Sequence, residues 1–221
     1  MQRIYTAALI GCGRIGWTLA KDKLREQPAS HTAALNANKR IKLIAGCDTD
    51  EEALKNWGKE NPSALTFTSV SSLFAECKPD IVSVAVNENA HLDIALKAIQ
   101  SKPALVILEK PVALNSGQAL KLKAAADSAD VKILVNHERR FALDYNMARS
   151  YLKQIGELQS ITATLSSGLK VYDKEAEETG AYSLIHDGTH LVDIVLFFLE
   201  AAAGLASGNN SNQEAEGSEG L

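Results

Sequence analysis

The sequence is poor in cysteine, in aromatic residues and in positive charge. Its three cysteines, Cys12, Cys47 and Cys77, form no C-x-x-C pair, which argues against a disulfide framework or a cysteine zinc site and favours a reducing cytoplasm. The formal net charge is −4, so the basic surface of a protein that binds nucleic acid or anionic membranes is not expected. The most apolar segment, Leu191–Leu199, is interrupted by Asp193 and is far shorter than the roughly 20 residues of a membrane span. We therefore expect a soluble protein whose partner is a small molecule.

Between residues 4 and 136 the sequence alternates short β-branched segments with longer amphipathic ones. This order is typical of βαβ units around a parallel sheet. The candidate strands are Ile4–Ile10, Ile41–Cys47, Ala64–Thr68, Ile81–Val86, Leu105–Glu109 and Val131–Asn136. The candidate crossover helices are Asp50–Glu60, Ser71–Cys77, His91–Gln100 and Ser116–Ser128. We predict an α/β fold, with a doubly wound parallel sheet in an N-terminal domain over residues 1–136.

Beyond Asn136 this alternation ends. The pattern predicts a helix near Leu143–Gln154, a strand near Gln159–Ser167 and an apolar helix from about Ser183 to Leu199, which together indicate a truncated α+β domain over residues 137–200. Residues 201–221 are rich in Ala, Gly, Ser, Asn and Glu. Because such a composition offers little to bury, we expect a disordered tail there.

The segment Gly11-Cys12-Gly13-Arg14-Ile15-Gly16 matches the pattern G-x-G-x-x-G. It follows a predicted strand and opens a helical segment, where glycines permit a tight turn and close approach of the backbone to a pyrophosphate. Backbone N–H groups at such a helix start face phosphates. We therefore interpret the segment as the dinucleotide loop of a Rossmann domain, the alternative being a glycine turn without a ligand. The predicted cofactor-binding residues here are Gly11, Gly13, Arg14, Ile15 and Gly16.

Asp48 follows the second predicted strand. A carboxylate at that position accepts hydrogen bonds from the adenosine ribose hydroxyls and repels a 2′-phosphate, which favours NAD as the cofactor. The interval from Gly16 to Asp48 exceeds the roughly 20 residues expected, and Lys21–Ser30, which contains Pro28, is interpreted as an inserted loop. The alternative is that Asp48 only caps the next helix.

Seven sequence blocks resemble, in the same order, those of the Gfo/Idh/MocA oxidoreductase family. They are GCGRIG at 11–16, CD at 47–48, NENAHLDIALKAI at 87–99, EKP at 109–111, ERRF at 138–141, IGEL at 155–158 and HDGTHLVD at 186–193. The resemblance implies an NAD-dependent dehydrogenase that transfers a hydride between the nicotinamide and a hydroxyl-bearing carbon of a sugar, inositol or nucleotide sugar. It also implies a homo-oligomer assembled through the second domain.

The resemblance further implies that Lys110 and His190 are catalytic. Lys110, beside Glu109 at the end of the fifth strand, would lie near the nicotinamide and contact the reacting hydroxyl, where an ammonium stabilises developing negative charge. His190 would take or return the hydroxyl proton. Without the resemblance, we would interpret Lys110 as a surface lysine that forms an ion pair with Glu109.

The family usually places an aspartate four residues before the histidine, but His186 stands there and the acid is Asp187. Either Asp187 or His186 completes the catalytic set, or the set is incomplete. His186, His190 and Asp193 also share one helical face at a spacing that suits a metal. The family does not ordinarily use a metal there, so we expect none; a structural role at a domain interface is the other alternative.

The block at 87–99 places further candidates along the cofactor cleft after the fourth strand. The resemblance assigns Asn87, Asn89 and His91 to this cleft, although His91 equally fits a helix N-terminal residue that packs on its neighbours. Arg139 and Arg140 follow the sixth strand and either support the domain junction, contact substrate oxygens or are solvated.

The rival function is a non-catalytic NAD(H)-binding module, or a truncated family member without turnover. The displaced aspartate and the short second domain favour it. On this interpretation the chain binds NADH, turns over weakly or not at all, and self-associates through the apolar face of Leu191–Leu199, which lacks its cover.

Overall fold

The computed structural model describes residues 3–166 and 181–215, and it describes side chains in the second stretch over 182–204. The chain divides into two compact units, Met1–Asn136 and His137–Leu221.

The first unit is built on a six-stranded sheet in the order β3-β2-β1-β4-β5-β6. All five neighbouring pairs are parallel, so the predicted doubly wound parallel sheet is confirmed. The strands are β1 (Tyr5–Ile10), β2 (Ile41–Cys47), β3 (Leu65–Phe67), β4 (Ile81–Val84), β5 (Leu105–Glu109) and β6 (Lys132–Asn136). The order reverses between β1 and β4, and ligands of such sheets bind beyond the strand ends at this reversal.

Five α-helices connect the strands of this unit. They are α1 (His31–Ala37), α2 (Glu51–Glu60), α3 (Val70–Glu76), α4 (His91–Gln100) and α5 (Ser116–Ala129). Short 3₁₀ turns cover Thr18–Lys21 and Glu88–Ala90. Asp50 caps α2 by accepting hydrogen bonds from the N–H groups of Glu52 and Ala53, so Asp48 is not the cap of this helix.

Two apolar clusters cover the two faces of the sheet. Because successive side chains of a strand point to opposite faces, β1 contributes Ala8 and Ile10 to one cluster and Ala7 and Leu9 to the other. All four are buried. Burial on both faces is the usual state of a parallel sheet, and it explains why these strands read as continuous apolar segments.

The helical path that begins at the glycine turn is interrupted between Gly16 and His31 by a segment that leaves the path and returns to it, which we call the excursion. The N–H of His31 donates to the carbonyl of Ile15, and that of Thr32 to the carbonyl of Gly16. Each bond spans sixteen residues instead of the four of an α-helix, so twelve residues leave a helical path that closes behind them. Without those twelve, Asp48 lies twenty residues after Gly16, which is the spacing of about 20 expected for a ribose-binding acid.

The excursion is attached to the end of α2. The Trp17 indole N–H donates to Glu60 over 2.9 Å, and the Lys21 ammonium donates to the same carboxylate over 2.7 Å. Lys21 also lies 3.9 Å from the centre of the Trp17 ring. Leu24, further along the excursion, is 96% exposed.

The second unit is helical over its described residues. It contains a 3₁₀ turn over Glu138–Phe141 and α6 (Leu143–Ile155), then α7 (Ala181–Ser183), a π-helical turn over Leu184–Gly188 and α8 (Thr189–Ala215). On α8, Ile194 and Phe197 are buried, whereas Val192, Leu196 and Leu199 are about half exposed. Within the described residues, no helix combines the length and apolar character needed to cross a membrane.

Two expectations for this unit are corrected. Residues 159–166 form no strand, so the predicted strand Gln159–Ser167 is wrong as far as it is described; Ser167 lies outside the described residues. A strand needs a neighbouring strand for its N–H and C=O groups, and the described part of this unit offers none. The tail expected over 201–221 is helical to Ala215, because extending an existing helix through the alanines at 201–203 avoids a new nucleation step. Residues 216–221 lie outside the described part.

Leu73→Ala tests the core, with Leu24→Ala as the matched control. Leu73 is fully buried, so its truncation should lower the free energy of unfolding by about 2–5 kcal/mol. The same change at the exposed Leu24 should cost less than about 0.5 kcal/mol. Urea unfolding followed by circular dichroism measures both, and equal losses would contradict the packing described.

Candidate functional site

The glycine turn after β1 leaves no room for side chains at two of its three glycines. Gly11 has a φ of +97°, and a Cβ there would collide with the Ala85 carbonyl. A Cβ at Gly16 would collide with the Gly11 carbonyl. Gly13 differs, because a Cβ there would meet no atom within 4 Å. The fold therefore requires Gly11 and Gly16, whereas Gly13 faces open space.

Asp48 links this turn to the turn after β2. One carboxylate oxygen accepts the Cys12 N–H over 2.6 Å, and the other accepts the Asp50 N–H over 2.9 Å. Each oxygen has a further lone pair that can accept a ribose hydroxyl. Arg14 and Ile15, the other predicted residues of the turn, are exposed and half-buried respectively.

Glu109 ends β5 and turns its carboxylate into the protein. It is 6% exposed, and its Oε1 accepts hydrogen bonds from His31 Nε2 over 2.8 Å and Asn136 Nδ2 over 2.6 Å. Burial by itself would raise the pKa of Glu109, but these hydrogen bonds and the charges of His31 and Lys110 outweigh it and hold the pKa below its usual value. Glu109 is thus a buried carboxylate and not the surface partner that the alternative for Lys110 supposes. Its contact with the cofactor stays a prediction.

Lys110 is the first residue after β5 and is half-buried. It stands at the same edge of the sheet as the glycine turn and Asp48, since all three follow the carboxyl ends of parallel strands. The peptide bond between Lys110 and Pro111 is cis. An ammonium at this edge can hydrogen-bond a substrate oxygen and stabilise negative charge on it.

His91 is buried, which favours the second of its two interpretations, a residue at the start of a helix that packs on its neighbours; its contact with the cofactor stays a prediction. The ring is 1% exposed. Its Nδ1 lies 2.7 Å from the Pro111 carbonyl and its Nε2 lies 3.0 Å from the Val86 carbonyl. Both nitrogens are engaged within the protein because α4 begins at His91 and directs the ring inward. Asn87 and Asn89, in the turn just before, are exposed, and their cofactor role stays a prediction.

In the second unit, His190 is 6% exposed near the start of α8. Its Nε2 lies 3.8 Å from a Glu138 oxygen, and its ring meets the His137 ring edge-on at 6.0 Å. Within the described residues, the buried Oδ2 of Asp187 has no hydrogen-bond partner, whereas the His186 ring packs on Tyr182 at 4.1 Å. This favours Asp187 over His186 as the acid of the predicted set, whose catalytic roles stay predictions.

Asp193 serves the unit's own structure. Both of its oxygens accept hydrogen bonds from Arg140 Nε at 2.8 Å, and Arg140 also binds Glu200 at 3.1 Å. These two carboxylates raise the pKa of Arg140 further above its usual value. In the described parts of the chain, no group of three or more His, Cys, Asp or Glu side chains is placed to hold a metal.

Sequence reasoning missed His31 and Asn136. Asn136 was detectable, because it ends a predicted strand at the edge where ligands of such sheets gather. His31 carried no signal, since its approach to Glu109 depends on how the helical path closes behind the excursion.

The chain is similar to known proteins of one oxidoreductase family. Residues 5–137 match the Gfo/Idh/MocA oxidoreductase family with an NAD-binding Rossmann fold. Over 156 residues the chain is 28% identical to a trans-1,2-dihydrobenzene-1,2-diol dehydrogenase of Xenopus laevis, which covers 69% of this chain and 47% of the relative. Over 199 residues it is 25% identical to a D-glucoside 3-dehydrogenase of Escherichia coli, with 87% and 53% covered.

A solved structure agrees with these matches. The WlbA dehydrogenase of Bordetella pertussis, crystallised with NADH and UDP-GlcNAcA, superposes with a TM-score of 0.59 and is 26% identical. The match covers 69% of this chain and 42% of that one. The chain thus spans about half the length of the relatives it matches. It belongs to the Gfo/Idh/MocA family of oxidoreductases, and its first unit is the family's NAD-binding Rossmann fold.

Proposed function

We propose that the protein is an NAD-dependent dehydrogenase that transfers a hydride between the nicotinamide and a hydroxyl-bearing carbon of a sugar, inositol or nucleotide sugar. The observation that carries the proposal is the placement of the glycine turn, Asp48 and Lys110 at one edge of one sheet. They follow β1, β2 and β5, and β1 lies at the reversal of strand order. A dinucleotide that binds across this reversal would extend from Asp48 on one side towards Lys110 on the other.

The residues of the turn fit the cofactor. The open space at Gly13 leaves room for the pyrophosphate, and Asp48 presents carboxylate oxygens for the adenosine ribose. When bound, the nicotinamide supplies the site that accepts or gives the hydride. The protein's residues orient the substrate and manage the proton.

Lys110 is assigned to the reacting hydroxyl. Its ammonium donates a hydrogen bond to the substrate oxygen and stabilises negative charge that develops there. His190 is assigned as the base that takes the hydroxyl proton, or returns it in the opposite direction. Asp187, whose Oδ2 is buried without a hydrogen-bond partner among the described residues, is assigned to orient His190 or stabilise its charged form.

The relatives support the substrate class. Their names include a D-glucoside dehydrogenase and a dihydrodiol dehydrogenase, and the Bordetella enzyme was crystallised with a nucleotide sugar. All of these are hydroxyl-bearing ring compounds. A polyhydroxylated ring is therefore the substrate chemistry that we assign to this chain.

Asp48→Asn tests the cofactor assignment. Loss of the charge removes repulsion of a 2′-phosphate, so the preference for NADH over NADPH should narrow by about tenfold, which corresponds to roughly 1.4 kcal/mol. Asp50→Asn is the matched control, because asparagine also caps helices and the preference should change less than about twofold. Fluorescence titration with NADH and NADPH measures both. Equal affinity of the unmodified protein for the two cofactors would contradict the role of Asp48.

Lys110→Ala and His190→Ala test the catalytic assignments. Each should lower turnover by about 10²–10⁴-fold while the Kd for NADH changes less than about threefold, since neither residue is assigned to the adenosine half of the cofactor. Lys132→Ala, on an exposed lysine of the same sheet, is the control and should leave both unchanged. Reduction of NAD is followed by absorbance during a screen of sugars, inositols and nucleotide sugars.

Asp187→Asn completes this set and should also slow turnover, because only a charged acid stabilises a protonated His190. If Lys110→Ala and His190→Ala each slow turnover less than about threefold, the assigned roles are wrong. If the unmodified protein binds NADH but oxidises no substrate in the screen, it acts as a binding module.

A further inference from the structure

Two buried histidines hold the residues on either side of Lys110. His31 bonds Glu109, and His91 contacts the Pro111 carbonyl. We propose that His31 and His91 are positioning residues that fix the backbone from which Lys110 extends. The proposal rests on the function proposed above for Lys110.

His31 is held on both of its ring nitrogens. Its Nε2 lies 2.8 Å from Glu109 Oε1, and its Nδ1 lies 2.7 Å from the hydroxyl of Ser83 on β4. When Nε2 donates to the carboxylate, Nδ1 pairs with the Ser83 hydroxyl in either ring state, accepting from it if the ring is neutral and donating to it if the ring is charged. His31 is 8% exposed and Ser83 is fully buried. The buried carboxylate of Glu109 is therefore hydrogen-bonded in the position that its side chain occupies.

His91 holds the residue on the other side. Its Nδ1 is 2.7 Å from the Pro111 carbonyl and its Nε2 is 3.0 Å from the carbonyl of Val86, just beyond β4. Carbonyl oxygens only accept hydrogen bonds, and a neutral imidazole has a single N–H. A neutral ring therefore donates to one of the two carbonyls, and the shorter distance assigns that N–H to Nδ1 and Pro111. His91 thus ties the backbone after Lys110 to the start of α4.

These contacts fix the backbone position from which the flexible side chain of Lys110 extends. Lysine has a four-carbon stem with many rotamers, so the position of the Lys110 backbone and the direction in which its stem leaves determine where its ammonium can reach. Glu109 is tied through His31 to Ser83 on β4, and Pro111 is tied through His91 to the start of α4. A misplacement of about 1 Å at a reacting group can cost about 10²-fold in rate, so this bracing has a direct catalytic value.

Placing polar side chains at the buried positions 31, 91 and 109 lowers stability more than apolar ones would, unless their hydrogen bonds are satisfied. Burying an imidazole or a carboxylate costs free energy unless each is hydrogen-bonded, and the neighbouring positions of β4 and β5 are filled by Val82, Val84, Val106 and Leu108. A purely structural contact would need only more apolar residues. The polar set instead gives directional bonds, which fix orientation as well as distance.

The first experiment observes Lys110 directly and needs no substrate. Lysines of the full chain are reductively methylated with ¹³C, and the Lys110 signal is identified by its loss in Lys110→Arg. In His31→Leu and His91→Leu the chemical shift or titration midpoint of this signal should change. His31→Gln, whose amide N–H can still reach Glu109, should restore it. Asn61→Leu, on a buried polar residue that caps the far end of α2, is the control and should leave the signal unchanged.

The second experiment separates positioning from stability. The two leucine variants should lower kcat by about tenfold or more with the Kd for NADH within about threefold, and His31→Gln should recover most of kcat. Asn61→Leu should lose stability without losing kcat. If the leucine variants do not fold, Ser83→Ala replaces them, because it removes only the hydroxyl that fixes His31 Nδ1 and should still alter the Lys110 signal.

An unchanged Lys110 signal in Ser83→Ala and in every folded leucine variant would overturn the proposal. So would a change in Asn61→Leu as large as that in the leucine variants, since the effect would then follow from lost stability. The function proposed above fails separately, if Lys110→Ala leaves turnover intact while the bracing of Lys110 is still seen in its signal.

Discussion

The rest of the first unit depends on the close backbone contact between Gly11 and Gly16. Neither residue has room for a Cβ, because the turn is pressed against the Ala85 carbonyl and folds back on itself. The Ile15 and Gly16 carbonyls then receive the N–H groups of His31 and Thr32. The same turn that leaves space for a pyrophosphate at Gly13 thereby determines where α1 resumes.

The position of α1 in turn determines the polar interior beside Lys110. Because α1 resumes at His31, this histidine lies between Ser83 and Glu109. Glu109 is kept charged by the donors around it, which hold its pKa below the usual value in spite of burial. A chain of contacts therefore runs from the glycine turn through α1 and His31 to the backbone before Lys110, so the cofactor loop and the proposed catalytic lysine are parts of one packed network.

The sequence alone was sufficient for most of this unit. Short β-branched apolar segments and amphipathic helical segments are local signals, and β2, β5 and α4 have the predicted bounds. Asp48 was found because its position after β2 is a rule of the fold. For His91 the sequence left two interpretations open, because spacing places a residue on an element but does not say whether its ring turns inward or outward.

The parts that could not be predicted depend on contacts distant in sequence. The excursion after Gly16 was visible as an excess of residues, but its closure by His31 and Thr32 was not. In the second unit, the β-branched pattern at 159–166 predicted a strand, although no neighbouring strand is present in the part that the structure describes. The sequence shows that the acid stands at Asp187 instead of at position 186. It does not show the backbone conformation there, which the structure describes as a π-helical turn over Leu184–Gly188.

The central claim is that one edge of the sheet holds the dinucleotide from Asp48, past the glycine turn, to Lys110. A crystal structure of the protein with NADH tests it most directly. The account predicts the pyrophosphate over Gly13, the adenosine ribose hydroxyls within hydrogen-bond distance of Asp48, and the nicotinamide ring beside Lys110. A dinucleotide bound elsewhere on the chain, or bound at this edge with its nicotinamide directed away from Lys110, would contradict it.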